Sequence, residues 1–120
     1  MVEVQVRGEE AYYHAGREPS GRNAVDWACE AVDRGAGELL ITSVERDGTR
    51  RGMDLATLEK LAPRVSVPIV ASGGAGCARH CLQALDAGAS AVAVSTILHQ
   101  GVTVGEIKRA MADSGIEVRL

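Results

Sequence analysis

Short apolar segments alternate with amphipathic segments along most of this chain, and this order constrains the fold more than any other feature. Residues 39–41, 67–72 and 91–94 are apolar runs, and each lies between segments in which apolar residues recur at helical spacing. Strands separated by helices form parallel sheets, whose strands are typically covered on both faces. The sequence therefore predicts an α/β fold with a parallel sheet buried on both sides.

The first twenty residues follow a different pattern. Residues 2–7 alternate valine with charged or polar residues, which predicts a strand with one wet face. A turn at 7–9 and a second short strand at 11–14 complete an antiparallel hairpin. Residues 16–21, which contain Gly, Pro and Ser, are predicted to form a loop.

Repeated units are visible along the chain. A helix stop, a strand and a pair of small polar residues recur in the same order at 33–43 and 86–96, as in repeated βα units. A complete (βα)8 barrel needs about 250 residues, whereas this chain has 120. We expect residues 1–120 to form one domain, a partial (βα)8 TIM barrel of about three βα units with an N-terminal β-hairpin. Helices are expected at 22–34, 54–64, 77–87 and 103–114.

Charge and composition exclude several classes of function. The formal net charge is −3 and the basic residues are scattered, so nothing favours binding to nucleic acid or to an anionic membrane. No apolar run approaches the roughly 18 residues needed to span a bilayer. Residues 1–4 lack the layout of a signal peptide, so a cytoplasmic location is expected.

Three cysteines, an odd number, argue against a disulfide framework. Cys77, His80 and Cys81 share one predicted helical turn, which leaves two interpretations: a metal site or ordinary helix packing. A tetrahedral site needs four ligands, and the sequence offers no second cluster to complete it. Packing is therefore favoured, and no metal is expected.

Two predicted strands end in residues suited to holding an anion. Gly73 and Gly74 follow the strand at 67–72, and Ser95 and Thr96 follow the strand at 91–94. Ligands of parallel α/β folds bind at these strand ends, where small residues let backbone N–H groups approach a phosphate and a following helix N-terminus adds positive potential. The alternative is a structural turn that needs glycine for its backbone conformation.

Asp47 and Glu38 are the candidate charged residues. Asp47 lies beyond the end of the strand at 39–41 and beside Gly48, where a carboxylate can act as a general acid or base. Its alternative is a solvated turn residue. Glu38 begins the same strand at the opposite end of the sheet, and an exposed structural role is its alternative.

Several strings resemble the imidazole glycerol phosphate synthase cyclase subunit family, and the resemblance extends over nearly the whole chain. The isomerase of histidine biosynthesis, another phosphate-binding barrel, has the same plan but fits these strings less well. The strings are Gly35-Ala36-Gly37-Glu38-Leu39-Leu40-Ile41-Thr42-Ser43, Arg46-Asp47-Gly48-Thr49, Val67-Pro68-Ile69-Val70-Ala71-Ser72-Gly73-Gly74-Ala75-Gly76 and Gly115-Ile116-Glu117-Val118-Arg119-Leu120.

The resemblance implies an ammonia-dependent ring closure and lyase reaction on a ribulosyl aminoimidazole carboxamide nucleotide, in histidine biosynthesis. It implies that Asp47 is the acid/base aspartate and that Glu38 belongs to the gate through which ammonia from a glutaminase partner enters. The implied phosphate-binding residues are Gly48, Gly74, Ser95 and Thr96, and Gly73 joins them as part of the same glycine-rich strand end. No metal or organic cofactor is implied.

The chain departs from the family's pattern at its start. The resemblance places it in the C-terminal half of the barrel, so the N-terminal half, with its own catalytic aspartate and phosphate site, is absent. The preceding strand, with an Ile-Asp-Ala-like motif, is missing or replaced. Open sheet edges invite pairing, so we expect a homo-oligomer or a complex with an N-terminal half-barrel. A non-catalytic phosphate-binding or self-assembling half-barrel is the alternative function.

Overall fold

A computed structural model describes residues 1–120 and contains one six-stranded sheet with helices packed against it. The order of strands across the sheet is β3-β2-β1-β4-β5-β6. The elements in chain order are β1 (Val2–Arg7), β2 (Glu10–Tyr13), β3 (Glu18–Asn23), α1 (Ala24–Asp33), β4 (Leu39–Ser43), α2 (Leu55–Leu61) with a 3-10 turn (Ala62–Arg64), β5 (Ile69–Ser72), α3 (Ala78–Asp86), β6 (Ala91–Ala93), α4 (Thr96–His99) and α5 (Val104–Asp113).

Four strands of this sheet are parallel, in the order β1-β4-β5-β6. Helices connect β4 to β5 and β5 to β6, as in βα units of a barrel. The predicted α/β fold, a partial (βα)8 barrel preceded by a hairpin, is confirmed. No helix has both the length and the apolar character needed to cross a bilayer.

The first strand has a second role that the sequence did not reveal. β1 pairs with β2 as the predicted antiparallel hairpin, and its other edge pairs in parallel with β4, with Val2 opposite Leu39 and Val6 opposite Ser43. The strand expected ahead of β4 is therefore present, with Val4-Gln5-Val6 at its centre and no aspartate. Alternating sequence suits either a hairpin or a barrel strand with a polar inner face, and only the pairing distinguishes them.

Two short elements were not predicted. The expected loop at 16–21 overlaps β3, which pairs with β2 through an irregular register. Every residue of β3 is exposed, so it carries no apolar alternation that could have indicated a strand. The single turn α4 follows β6 directly and is too short to show helical periodicity.

The parallel strands are covered on one face only, which corrects the prediction of burial on both. Alternate residues such as Val4, Ile41 and Ala71 point to the helices and are buried, whereas Leu40 and Val70 on the other face are half-exposed. A complete barrel would enclose that second face. Four parallel strands leave it open, and we call the surface formed by Glu3, Gln5, Leu40, Thr42, Val70, Ser72, Ala91 and Ala93 the open face.

Local hydrogen bonds explain where the helices begin. Asn23 and Asp54 cap α1 and α2, each accepting a hydrogen bond from a backbone N–H three residues ahead. Thr103 and Glu106 form a capping box at α5. Gly88, at φ +112°, lies directly after the C-cap of α3, in a conformation that favours glycine.

Candidate functional site

Three loops meet at the carboxyl ends of β4, β5 and β6 and enclose a cleft of about 110 Å³. Neighbouring parallel strands end at the same edge of the sheet, so residues far apart in sequence converge there. We call this the strand-end cleft. It is lined by Asp47, Ser72, Gly73, Gly74, Ala75, Ala93, Val94, Ser95 and Thr96.

Five of the seven residues predicted from sequence line this cleft: Asp47, Gly73, Gly74, Ser95 and Thr96. Gly48 is adjacent to Asp47 in the chain but exposed and outside the lining, with open space where a side chain would begin. Glu38 precedes β4, at the opposite end of the sheet, where its carbonyl accepts a hydrogen bond from Val2.

The loop after β5 can lie against its neighbours only because it is made of glycine. A Cβ atom on Gly73 would stand 2.7 Å from the carbonyl oxygen of Ser43, and one on Gly76 would stand 2.2 Å from that of Arg50. Gly73 and Gly74 also have positive φ, +92° and +97°. The backbone of this turn therefore requires glycine at these positions. That requirement is compatible with anion binding, because an anion also needs the backbone to approach closely.

The loop after β4 positions Asp47 through backbone hydrogen bonds. The N–H of Asp47 donates to the carbonyl of Ser43 at 3.0 Å, and the hydroxyl of Thr49 donates to the carbonyl of Arg46 at 2.7 Å. The Asp47 Cβ lies 3.5 Å from the position of a Gly73 Cβ. Its side chain is exposed, so the carboxylate is accessible from solvent within the cleft.

Six residues that line the cleft have a backbone N–H with no acceptor in the protein: Gly73, Gly74, Ala75, Val94, Ser95 and Thr96. Unpaired N–H groups of residues that line one cavity suit an anion when they point into it. The helical contribution expected from sequence is small here, because α3 begins only at Ala78 and α4 has a single turn. Loop amides, rather than helix N-termini, are therefore the backbone donors available to an anion in this cleft.

Gln5 is a candidate that sequence reasoning missed. Gln5 is paired in register with Thr42 on β4, and Thr42 is paired in register with Ser72 on β5. The three residues therefore form one layer of the open face. The side-chain oxygen of Gln5 is buried and makes no hydrogen bond. The alternation of apolar and polar residues in β1 predicts that Gln5 lies on the polar face of that strand. No local pattern indicates that this face continues across β4 and β5.

In the cluster of Cys77, His80 and Cys81, the residues make contacts within the protein. The Nδ1 atom of His80 accepts a hydrogen bond from the N–H of Gly76 at 3.0 Å. Cys81 is buried, and burial raises the pKa of its thiol, with a smaller effect from nearby Cys77. No group of three or more His, Cys, Asp or Glu side chains converges as a metal site would require.

The largest cavity, of about 590 Å³, lies elsewhere, between the β1–β2 turn, α1 and α2. Two ion pairs line its walls. Lys60 of α2 pairs with Glu9 of the hairpin, and Arg64 of the 3-10 turn pairs with Asp26 of α1. The carboxylate of Glu45 accepts from the N–H of Gly8 there at 3.0 Å. Because its polar groups already pair with one another, we locate the candidate site in the smaller strand-end cleft.

Comparison with known proteins agrees with the geometry. The model of a family described as histidine biosynthesis protein matches residues 1–103. The chain is 48% identical over 125 aligned positions to the imidazole glycerol phosphate synthase subunit HisF of Gluconacetobacter diazotrophicus, covering 99% of this chain and 48% of that protein. It is 51% identical over 110 positions to the subunit of the same name in Myxococcus xanthus, covering 90% of this chain and 44% of that protein.

The chain thus spans about half the length of the curated relatives it matches. The family model covers most of the chain, including β1 and every strand-end loop that lines the cleft. The identity to both subunits extends over almost all of the chain. The chain belongs to the histidine biosynthesis protein family and corresponds to part of a cyclase subunit of the HisF type.

Proposed function

We propose that this chain is the C-terminal half-barrel of an imidazole glycerol phosphate synthase cyclase, which closes an imidazole ring with ammonia on a ribulosyl aminoimidazole carboxamide nucleotide. The observation that carries the proposal is the convergence of Gly74 and Thr96 on one cleft with unpaired amides. The similarity to HisF subunits supports the reaction class.

The strand-end cleft would hold a phosphate of the substrate. The N–H groups of Gly74, Ala75 and Ser95 are free to donate, and the hydroxyls of Ser95 and Thr96 add further donors. A hydrogen bond to a charged group contributes about 1.5–3 kcal/mol. Three or more such bonds would anchor one end of the substrate at β5 and β6, with its remainder extending across the open face.

Asp47 would serve as the general acid or base. It lies in the same cleft as the anion site but on the loop after β4, on the side towards the centre of the parallel sheet. A bound phosphate would therefore leave the reacting part of the substrate near its carboxylate. General acid–base catalysis of this kind contributes about 10²–10⁴-fold to a rate.

Turnover would require a completing half-barrel, because the open face leaves the substrate in contact with water. Electrostatic stabilisation of a transition state is weaker in water than in an enclosed site. A glutaminase subunit would dock at the amino ends of the strands, with Glu38 at the ammonia gate. The reaction would use no metal or organic cofactor and would take place in the cytoplasm, as expected for amino-acid biosynthesis.

A specific observation favours the alternative, a non-catalytic phosphate-binding or self-assembling module. β1 carries Gln5 on the open face, where the family resemblance predicts an aspartate-containing strand motif. A glutamine amide can orient a substrate but cannot exchange a proton with it at neutral pH. In this alternative the cleft binds phosphate and no ring closure follows.

Two measurements separate the candidates. Inorganic phosphate binding would be followed by ¹⁵N chemical-shift changes at Gly74, Ala75 and Ser95, and ammonia-dependent turnover would be assayed with and without an added N-terminal half-barrel. Turnover that Asp47→Asn abolishes supports the cyclase. Phosphate binding without turnover in every combination supports the module, and no phosphate-dependent shift at these amides would overturn both.

A further inference from the structure

We propose that His80 is a positioning residue for the strand-end cleft, and that its neutral imidazole holds the loop after β5 in the shape that offers free amides to an anion. The proposal rests on the anion site of the proposed function and adds to it a residue outside the cleft lining. It is carried by the hydrogen bond that His80 makes, by the uncapped start of α3 and by the loop that the imidazole faces.

α3 begins without the usual side-chain cap. Cys77 occupies the N-cap position, and its side chain accepts no hydrogen bond from the helix. His80, the third residue of α3, instead accepts at Nδ1 from the N–H of Gly76, the residue before the cap, at 3.0 Å. In a capping box the third helical residue, Glu or Gln, reaches back to the backbone in a similar way. His80 therefore takes the place of that residue and connects α3 to the glycine-rich loop.

Two hydrogen bonds fix the two peptide groups that flank Ala75. The carbonyl of Gly74 accepts from the N–H of Gly52 at 2.8 Å, which holds the peptide group between Gly74 and Ala75. The bond from Gly76 to His80 holds the next peptide group. Both peptides are trans, so the free N–H of Ala75 points away from Gly52. Without the bond to His80 the second peptide group can rotate, and the backbone at Ala75 is no longer fixed on both sides.

The same imidazole faces the loop after β4. Its Nε2 atom lies 3.9 Å from the point where a Cβ of Gly52 would stand, and Nη1 of Arg46 lies at the same distance from that point. Arg46 donates there to the carbonyl of Gly52 at 3.4 Å. Because Nδ1 accepts a hydrogen bond, the ring carries its proton on Nε2 and is neutral. His80 thus links α3 and the loop with free amides to the loop that carries Asp47.

A second proton on the imidazole would end this arrangement. A protonated ring has two donors and no acceptor, so the N–H of Gly76 would lose its partner. The new charge would also stand close to the guanidinium of Arg46, and none of the chain's ion pairs includes His80 to offset it. Histidine side chains gain this proton between about pH 8 and about pH 5. The cleft should therefore lose affinity for an anion as the pH falls through that range.

Other groups around His80 do not produce the same effect. The charged or titratable residues that adjoin its contact with Gly76 are Arg46, Arg50, Cys77, Arg79 and Cys81. Arginines keep their charge over this range, and thiols ordinarily keep their proton. The two helices packed against α3, α2 and α5, bury only uncharged side chains. A proton gained by Asp47 in the cleft would strengthen anion binding, which is the opposite sign.

The test is sulfate binding to the 120-residue chain, measured by isothermal titration calorimetry from about pH 8 to about pH 5. Sulfate keeps both negative charges over this range, whereas inorganic phosphate gains a proton. A salt concentration of about 0.3 M screens the direct attraction between an imidazolium and the anion. Affinity should fall about tenfold towards the acidic end, the factor that corresponds to one lost hydrogen bond. A histidine that acted only through its charge would raise the affinity, so a flat or rising profile overturns the proposal.

Matched variants assign the effect to His80. His80→Gln keeps an acceptor that suits this helix position and cannot gain a proton, so its sulfate affinity should stay at the alkaline value across the range. His80→Ala removes the acceptor and should bind about tenfold more weakly throughout. His14→Asn and His99→Gln replace the other two histidines, which lie outside the cleft lining, and should keep the acidic loss. Far-UV circular dichroism checks that each variant folds. A folded His80→Ala that binds as tightly as His80→Gln contradicts the positioning role.

The outcomes separate this proposal from the proposed function. Sulfate binding that neither pH nor His80→Ala alters overturns the positioning role and leaves the anion site and the cyclase standing. A chain that binds neither sulfate nor phosphate at any pH overturns the anion site and the positioning role together. The expected pH profile without turnover in any assembly supports the positioning role and counts against the cyclase.

Discussion

Gly52, in the loop after β4, and Gly74, in the loop after β5, are joined by a backbone hydrogen bond at the strand-end cleft. The N–H of Gly52 donates to the carbonyl of Gly74 at 2.8 Å, and the carbonyl oxygen of Gly52 lies 2.1 Å from where a Cβ on Gly74 would stand. The loop that carries Asp47 is thereby held against the loop that offers the free amides. This contact joins the loop of the acid/base candidate to the loop of the candidate anion site.

Gly74→Ala is expected to be strongly destabilising, because the new Cβ overlaps backbone and Gly74 has a φ of +97°. Overpacking and a left-handed conformation together predict a loss of about 2–5 kcal/mol in unfolding free energy. Gly48→Ala is the matched control, since Gly48 also has positive φ, +76°, but open space around it. It should lose only about 1–2 kcal/mol. Urea denaturation measures both, and equal losses would contradict the close packing.

Asp47→Asn is expected to remove ammonia-dependent turnover in the completed assembly, although the cleft should still bind phosphate. The amide keeps the size of the side chain but cannot exchange a proton. Removing a negative charge from the cleft should strengthen inorganic phosphate binding, by about 2- to 5-fold at low salt. Isothermal titration and a turnover assay check the two effects. Weakened phosphate binding would mean that Asp47 supports the anion site rather than the chemistry.

Leu39 and Leu40 test which face of the sheet is covered. Leu39 is fully buried against the helices, so Leu39→Ala should cost about 2–5 kcal/mol of unfolding free energy. Leu40 is half-exposed on the open face, so Leu40→Ala should cost far less in a monomer. In a closed barrel Leu40 becomes interior, and the cost should then rise with protein concentration. Chemical denaturation at two protein concentrations distinguishes these cases.

The capping box of α5 predicts a pH dependence of stability. Hydrogen bonds from the backbone and hydroxyl of Thr103 hold the pKa of Glu106 below its ordinary value of 4.5. The stabilisation is therefore fully present above about pH 4.5 and is lost as the pH falls through the lower, folded-state pKa. Glu106→Gln should flatten the stability–pH curve in that acidic range. An unchanged curve would show that the box contributes nothing.

Much of the fold could be predicted because its signals are local. The helix expected at 54–64 does begin at Asp54, which caps α2, and an N-cap is a local signal because it acts over three residues. β3 and α4 were missed because neither carries a periodic apolar pattern. Gly74 and Thr96 were expected to lie together at the strand ends and both line the cleft, whereas Gly48 lies outside its lining with open space around it.

The sequence alone determined the order of the strands and helices other than β3 and α4, and the small polar residues at the strand ends, because these depend on neighbours a few residues away. The tertiary structure alone decided that Val2 pairs with Leu39, that one face of the sheet stays open, and that Gly74 meets Gly52. The two contacts join residues more than twenty positions apart, and the open face depends on how the strands and helices pack. Such contacts depend on how the elements pack together, and no local pattern encodes them.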